Sequence, residues 1–281
     1  MNRKILAAGA VLVVLAAASA LTLLHDGTQA QDVGTVKERY TDVKSQTLTY
    51  MDGETECEAF VAWDGNVKGR RPAVLVVHDW KGRGAFDEQR ARELAALGYI
   101  GFSVDVYGKS VRPQTTDEAR KATATWYGDR AALRTRLQAA LTAAQEHELV
   151  DRLRIAAIGY CFGGSCVLEL ARSGAEIAGV VSFHGGLGTS MPAKAGEIKA
   201  RVLILHGADD PNVGADQVSA LWKEMTEAGA DWQLVAYGNA VHSFTNPAAG
   251  NDNSKGAAYN EKADKRSWEA MKDFFREALA S

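Results

Sequence analysis

The hexapeptide Gly159-Tyr160-Cys161-Phe162-Gly163-Gly164 constrains this chain more than any other stretch. Before it, Arg154 to Gly159 reads as a strand; after it, Gly163 to Arg172 reads as a helix. Glycines two residues to either side of a reactive side chain let the backbone pass from strand to helix in one tight turn. The middle side chain is then presented at the sheet edge. The start of the helix adds positive potential, which favours a thiolate or an oxyanion at that point.

The rest of the chain has the same grammar. Gln46 to Tyr50 and Glu56 to Trp63 read as strands joined by a turn at Asp52-Gly53. Ala73-Val-Leu-Val-Val-His78 is a continuous apolar run, the pattern of a strand covered on both faces. Phe86 to Leu97 has helical spacing and stops at Gly98, and Ile100 to Val104 is the next strand. Thr116-Asp117 offers a helix cap, and Asp129 to Glu148 reads as one long helix. Strands follow at Ile177 to Phe183, Val202 to His206 and Trp232 to Tyr237, with helices at Gly214 to Ala228 and Ala257 to Ala280. Such alternation predicts an α/β fold, a mostly parallel central sheet with helices on both faces. No internal repeat or linker interrupts it.

The first thirty residues do not belong to that pattern. Arg3 and Lys4 precede an uncharged apolar run from Ile5 to Leu24, and a short polar stretch ends at Ala30. Basic, apolar, then small residues is the order of a secretory signal, with cleavage after Ala30 or after Ala20. The run of residues 5–24 is also near the length of a membrane span, so an uncleaved anchor is the alternative. Either form places residues 31–281 outside the cytoplasm, periplasmic or secreted, as a single domain. Without Arg3, Lys4 and Asp26, 30 basic and 34 acidic residues remain, a net charge of −4. No basic run suggests nucleic-acid binding. A 46% apolar content supplies a sizeable core. The three cysteines, Cys57, Cys161 and Cys166, leave at least one thiol unpaired, and a Cys57–Cys166 disulfide is conceivable. Their spacing matches neither a zinc site nor a CxxC redox motif.

A nucleophilic cysteine needs a base, and the base needs an orienting acid. His242 follows the last strand, in Gly238-Asn-Ala-Val-His242-Ser-Phe. Asp210 follows another strand, in His206-Gly-Ala-Asp-Asp210-Pro, with Asp209 its neighbour and rival. The order nucleophile, acid, histidine is that of α/β-hydrolases. In a parallel sheet all three gather at the carboxyl ends of strands, where open α/β sheets build their sites.

With these residues the chain resembles the dienelactone hydrolase family. The shared motifs are Gly-Tyr-Cys-Phe-Gly-Gly, Val-Val-His78-Asp79-Trp80, Asp105-Val-Tyr107-Gly-Lys109, Gly-Ala-Asp-Asp210-Pro and His242-Ser-Phe, spread over most of the chain beyond residue 45. The resemblance implies an α/β-hydrolase fold and a Cys161–His242–Asp210 triad. It also implies an oxyanion hole from the backbone N–H groups of Trp80 and Phe162. A small-molecule ester or lactone would be the substrate, cleaved through a thioester on Cys161 without cofactor or metal, and a monomer is expected. Three positions depart from the family pattern. Asp79 stands where the family has a glutamate that supports the thiol. Lys109 and Asn246 stand where two arginines hold a substrate carboxylate, so they are read with Tyr107 as substrate-binding positions. Lysine grips a carboxylate as a point charge and asparagine carries no charge.

Other features have plainer readings. His78, His184 and His206 each end a strand; a metal site is the alternative, but no carboxylate or cysteine spacing supports it. His78 is expected to shape the oxyanion loop. Trp126, Trp222, Trp232 and Trp268 read as packing residues, Trp80 as a pocket wall, and Glu169 as structural. Rival functions are a thiol-dependent acyltransferase or peptidase, a non-catalytic ligand-binding hydrolase fold, and a redox thiol. The last lacks a well-placed resolving cysteine. The export reading predicts a mature protein that begins at Gln31; N-terminal sequencing from a native host tests it, and intact Met1-bearing protein in the membrane fraction would select the anchor instead.

Overall fold

A computed structural model describes residues 42–280 of the chain, all within one unit, Val36–Ser281. The signal or anchor segment at residues 1–30 lies outside the described residues, as does most of the polar lead-in after it. Eight strands form one sheet: β1 (Val43–Asp52), β2 (Thr55–Asp64), β3 (Arg71–Val77), β4 (Ile100–Val104), β5 (Val150–Tyr160), β6 (Gly179–Phe183), β7 (Arg201–Gly207) and β8 (Trp232–Tyr237). Six α-helices join them: α1 (Ala85–Ala96), α2 (Thr116–Gly128), α3 (Arg130–Glu146), α4 (Phe162–Arg172), α5 (Ala215–Ala228) and α6 (Glu261–Ala278). Short 3₁₀ turns at Pro247–Ala249 and Asn253–Lys255 precede α6.

The strand order is β1-β2-β4-β3-β5-β6-β7-β8. β1 and β2 form an antiparallel hairpin, β2 runs antiparallel to β4, and every pair from β4 to β8 is parallel. The continuous apolar run of β3 is explained by two covered faces. Ala73, Leu75 and Val77 point into one core with residues of α3, α4 and α5, while Val74 and Val76 point into another with residues of α1 and α6. β5 and β7 alternate in the same way. This is an α/β-hydrolase architecture.

Several boundaries differ from those expected, each for a local reason. β1 begins at Val43 and pairs with β2 over its whole length, because ladder hydrogen bonds continue past the apolar residues that signal a strand. The helix expected from Asp129 to Glu148 is α3, which ends at Glu146. Thr115, not Thr116 or Asp117, caps α2: its hydroxyl accepts the Glu118 N–H at 3.2 Å while its own N–H donates to Glu118 Oε2 at 3.3 Å. Asp129 then caps α3 by accepting the Ala132 N–H at 2.9 Å. α6 starts at Glu261 because Asn260 caps it, and Ala257 instead bridges to His242.

The conceivable Cys57–Cys166 disulfide is not formed; all three cysteines are free. β2 lies three places from β5 in the sheet, and α4 packs over β5 and its neighbours. Three strand spacings amount to roughly 14 Å, twice the Cα separation a disulfide spans. Burial pushes the Cys57 thiol up to about 11 and the Cys166 thiol well above its usual range.

Every residue of α4 is buried, so its charged side chains need internal partners. Arg172 binds Glu224 through two nitrogens, at 2.9 and 2.8 Å, and reaches Glu169 at 3.2 Å and the Leu187 carbonyl at 2.8 Å. Arg134 supplies the second cation to Glu169, at 2.8 Å. This network locks the carboxyl end of α4, and with it the Cys161 turn at the other end. Arg172→Met leaves Glu224 without a cation and Glu169 with Arg134 alone, and is expected to cost about 3–5 kcal/mol in chemical denaturation; a cost below about 1 kcal/mol would show that the network is dispensable.

Candidate active site

The turn between β5 and α4 is made possible by missing side chains. A Cβ on Gly159 would lie 2.0 Å from the Gly163 carbonyl oxygen, and one on Gly163 would lie 2.1 Å from that of Val77. Both neighbours are backbone, so neither can yield. Their closeness drives Cys161 to φ 56° and ψ −114°, a conformation that a non-glycine residue adopts only under constraint. The Cys161 side chain is left half-buried while Tyr160 and Phe162 on either side are buried.

His242 meets it from the loop after β8. Its Nε2 is 3.0 Å from Cys161 Sγ, and its Nδ1 is 2.8 Å from Asp210 Oδ2. The loop is held by the His242 N–H donating to the Gly256 carbonyl at 3.2 Å and by the Ala258 N–H donating to the His242 carbonyl at 3.0 Å. Asp210, buried in the turn after β7, accepts the Asn212 N–H on its other oxygen at 2.8 Å. Asp209 is exposed and does not reach His242. Burial opposes a charge on His242, but its hydrogen bonds to Asp210 and Cys161 and their negative charge outweigh that cost. They hold its pKa up to about 10.

Trp80 lies in the loop after β3, and Phe162 is the first residue of α4. Among the described residues neither backbone N–H has an intramolecular acceptor. His78 determines how the Trp80 N–H is aimed. Its Nε2 accepts the Val106 N–H at 3.1 Å, so the ring proton sits on Nδ1, which donates to the Asp79 carbonyl at 2.6 Å. Across a trans peptide the N–H points opposite to the carbonyl. Fixing the Asp79 carbonyl therefore turns the Trp80 N–H to the other side. Burial keeps the His78 pKa below its ordinary value, consistent with the neutral ring this arrangement requires.

The substrate-binding positions fall differently. The Tyr107 hydroxyl is buried under the same loop, donating to the Trp80 carbonyl at 2.8 Å and meeting Thr123 Oγ1 at 2.7 Å; it braces the loop. Lys109 is exposed, with its ammonium 2.6 Å from Glu56 and 3.4 Å from Glu58. The Asn246 side chain caps the turn at Pro247–Ala249 by accepting the Ala248 N–H at 2.9 Å. Neither is hydrogen-bonded to Cys161, Asp210 or His242. Asp79 accepts the Lys81 N–H at 2.7 Å and makes no hydrogen bond to the Cys161 sulfur. Trp222 is exposed and meets Trp232 edge-on. His206 is buried near Asp210 and His242, with its pKa lowered first by that burial. One contact escaped sequence reasoning: His184 and Thr245 join the Cys161 turn to the His242 loop. Its only trace in the sequence is a histidine at a strand end.

The profile of the dienelactone hydrolase family matches residues 57–279. The chain belongs to that family. Its solved relatives include a dienelactone hydrolase-like promiscuous phosphotriesterase, P91, from metagenomic libraries: 40% identity, TM-score 0.81, covering 85% of this chain and all of the other. A Caenorhabditis elegans protein, K02A2.1, is 36% identical over 151 residues, covering 53% of this chain and 95% of the relative. A Bradyrhizobium protein named as a probable 2-oxo-3-(5-oxofuran-2-ylidene)propanoate lactonase is 25% identical over 209 residues, 70% of this chain and 84% of the relative.

The raised pKa of His242 has a definite sign in stability. A base that holds its proton more tightly when folded stabilises the fold fully below its unfolded pKa, about 6.5, and loses that contribution as the pH rises towards 10. Asp210→Asn removes a main support. The gap in thermal midpoint between wild type and variant should be wide at pH 6.5 and close by pH 10; a gap independent of pH would show that Asp210 does not hold the His242 proton.

Proposed function

We propose that the protein hydrolyses carboxylic esters or lactones of small molecules, with Cys161 as nucleophile, His242 as base and acid, and Asp210 as its orienting carboxylate. The observation that carries the reading is the single imidazole between Cys161 Sγ and the Asp210 carboxylate, set against a strained strand-to-helix turn. A protonated His242 that donates to sulfur makes the resting pair thiolate and imidazolium.

The thiolate attacks the acyl carbon, and the carbonyl electrons move onto oxygen, where the Trp80 and Phe162 N–H groups stabilise the charge. Collapse breaks the C–O bond, and the leaving oxygen takes the His242 proton. With a lactone, that oxygen stays on the acyl chain. His242, now neutral, removes a proton from water as the water attacks the thioester. The second collapse expels the thiolate and restores the ion pair. Asp210 holds the Nδ1 proton throughout and fixes which nitrogen faces the sulfur.

The Lys109 ammonium, already engaged by Glu56 and Glu58, offers little grip on a substrate carboxylate. The reading therefore favours neutral esters alongside carboxylated lactones. The 40% identity to a promiscuous phosphotriesterase supports a second substrate class, since a phosphoryl oxygen can occupy the same pair of N–H donors. Residues 1–30 support action outside the cytoplasm.

A panel of neutral aryl esters, carboxylated lactones and phosphotriesters tests this reading, using protein that begins at Gln31. Cys161→Ala should abolish hydrolysis of each substrate accepted and leave the fold intact. Cys161→Ser should lose on the order of a hundredfold or more, because a hydroxyl depends wholly on the base. Cys166→Ala should keep most activity. Mass spectrometry of quenched wild type should find the acyl group on the Cys161 peptide. A folded Cys161→Ala protein with undiminished ester hydrolysis would overturn the triad.

A further inference from the structure

His184 lies directly after β6 and is 3% exposed. Its backbone sits at φ 41°, and its N–H donates to the Leu205 carbonyl at 2.8 Å. Nδ1 accepts the Cys161 N–H at 3.2 Å, sharing that donor with the Phe183 carbonyl at 3.0 Å. An accepting Nδ1 carries no proton, so the ring proton is on Nε2, which donates to Thr245 Oγ1 at 2.8 Å. Thr245 is 1% exposed and belongs to the His242 loop. Arg90 of α1 donates to the Thr245 carbonyl at 3.3 Å, its charge met by Glu93 and Asp264. One imidazole thus links the amide of the proposed nucleophile to the loop of the proposed base, and its ring lies edge-on to His242 with centroids 5.3 Å apart.

We infer that His184 is a positioning residue: by bridging the Cys161 N–H and the Thr245 hydroxyl, it holds the strained turn and the base loop in one register. The inference rests on the reading of Cys161 and His242 as nucleophile and base. Cys161, His184 and Ser243 all have positive φ, at 56°, 41° and 59°. Such conformations persist only where the surroundings over-determine them, and the His184 bridge connects all three segments. Neither turn alone fixes the 3.0 Å separation of Sγ and Nε2. The bridge requires a neutral ring. A proton on Nδ1 would face the Cys161 N–H, donor against donor, and would set a cation beside His242. The titratable groups around His184 are His242 from the loop after β8, Arg90 from α1, and Tyr160 and Cys161 from the β5 turn. Burial first, then the His242 and Arg90 charges, keep its pKa well below the ordinary value, so the bridge survives across the working range of the triad. Both ring nitrogens are engaged, which leaves neither free for a metal ion.

The test uses Thr245→Val, His184→Asn and His184→Ala beside Cys161→Ala. Each is assayed for kcat and KM on a neutral aryl ester, for thermal midpoint, and for the pH dependence of Cys161 alkylation by iodoacetamide, read by peptide mapping. Thr245→Val keeps the shape and removes the acceptor for Nε2–H. It should lower kcat about tenfold with KM changed less than about twofold, and move the alkylation profile to higher pH as the thiol loses its fixed imidazolium. His184→Ala should lose more. His184→Asn, whose amide oxygen can accept the Cys161 N–H, should recover part of the loss. If His184→Ala fails to fold, Thr245→Val decides. Variants with lowered thermal midpoints but wild-type kcat and alkylation profile would mean that His184 is a filler of space, and the positioning role falls. Undiminished hydrolysis by Cys161→Ala sinks the nucleophile reading and this inference together. An inactive Cys161→Ala beside fully active Thr245→Val and His184→Asn sinks only the positioning role.

Discussion

The backbone of Cys161 is forced into a positive φ by two close approaches, Gly159 to the Gly163 carbonyl and Gly163 to the Val77 carbonyl. Those approaches tie β5, β3 and α4 into one rigid block, since Val77 and Gly159 are paired residues of adjacent strands. The thiol is presented because nothing in that block can relax. The same turn puts the Phe162 N–H at the first position of α4, where a helix leaves its donors unused. The placements of the Cys161 thiol and of the Phe162 N–H are therefore consequences of a single packing constraint.

Around that block the site is framed by neutral, buried histidines. His78 aims the Asp79–Trp80 peptide, and His184 links the Cys161 amide to Thr245. In each ring one nitrogen accepts a backbone N–H, and this dictates the position of the single proton. His242 is the opposite case. Its hydrogen bonds to Asp210 and Cys161 raise its pKa to about 10 despite its burial. Three histidines end strands or follow them in similar fashion, and hydrogen-bond partners alone separate the charged one from the neutral two. Behind the elbow, the Arg172–Glu169–Glu224 network anchors the far end of α4 in a helix with no solvent face.

Much of this was legible in the residues. The continuous apolar run of β3 announces a strand buried on both faces, because period-two alternation vanishes when both cores are apolar. The glycine spacing around Cys161 is legible because only glycine fits those approaches. The strand β8 was read where it lies, and the hairpin turn one residue early, since Asp52 pairs with Thr55 and the loop is Gly53-Glu54. Helix ends were less clear. The Thr115–Glu118 box lay one residue before the cap expected, and α6 starts at Glu261 instead of Ala257 because Asn260 caps it.

The sheet, the strained turn, and the chain order of cysteine, acid and histidine follow from short-range periodicity and from the space a missing side chain leaves. Which aspartate meets His242 is set by the folded turn, since Asp209 and Asp210 are neighbours and the turn buries one and exposes the other. It is likewise the fold that spends Lys109 on Glu56 and Glu58, keeps Cys57 and Cys166 apart, and turns His184 to the elbow. Each of these depends on partners 23 to 109 residues distant in the chain, from His184 and Cys161 to Cys57 and Cys166. Local pattern carries no record of such pairings; they exist only once the strands have taken their order in the sheet.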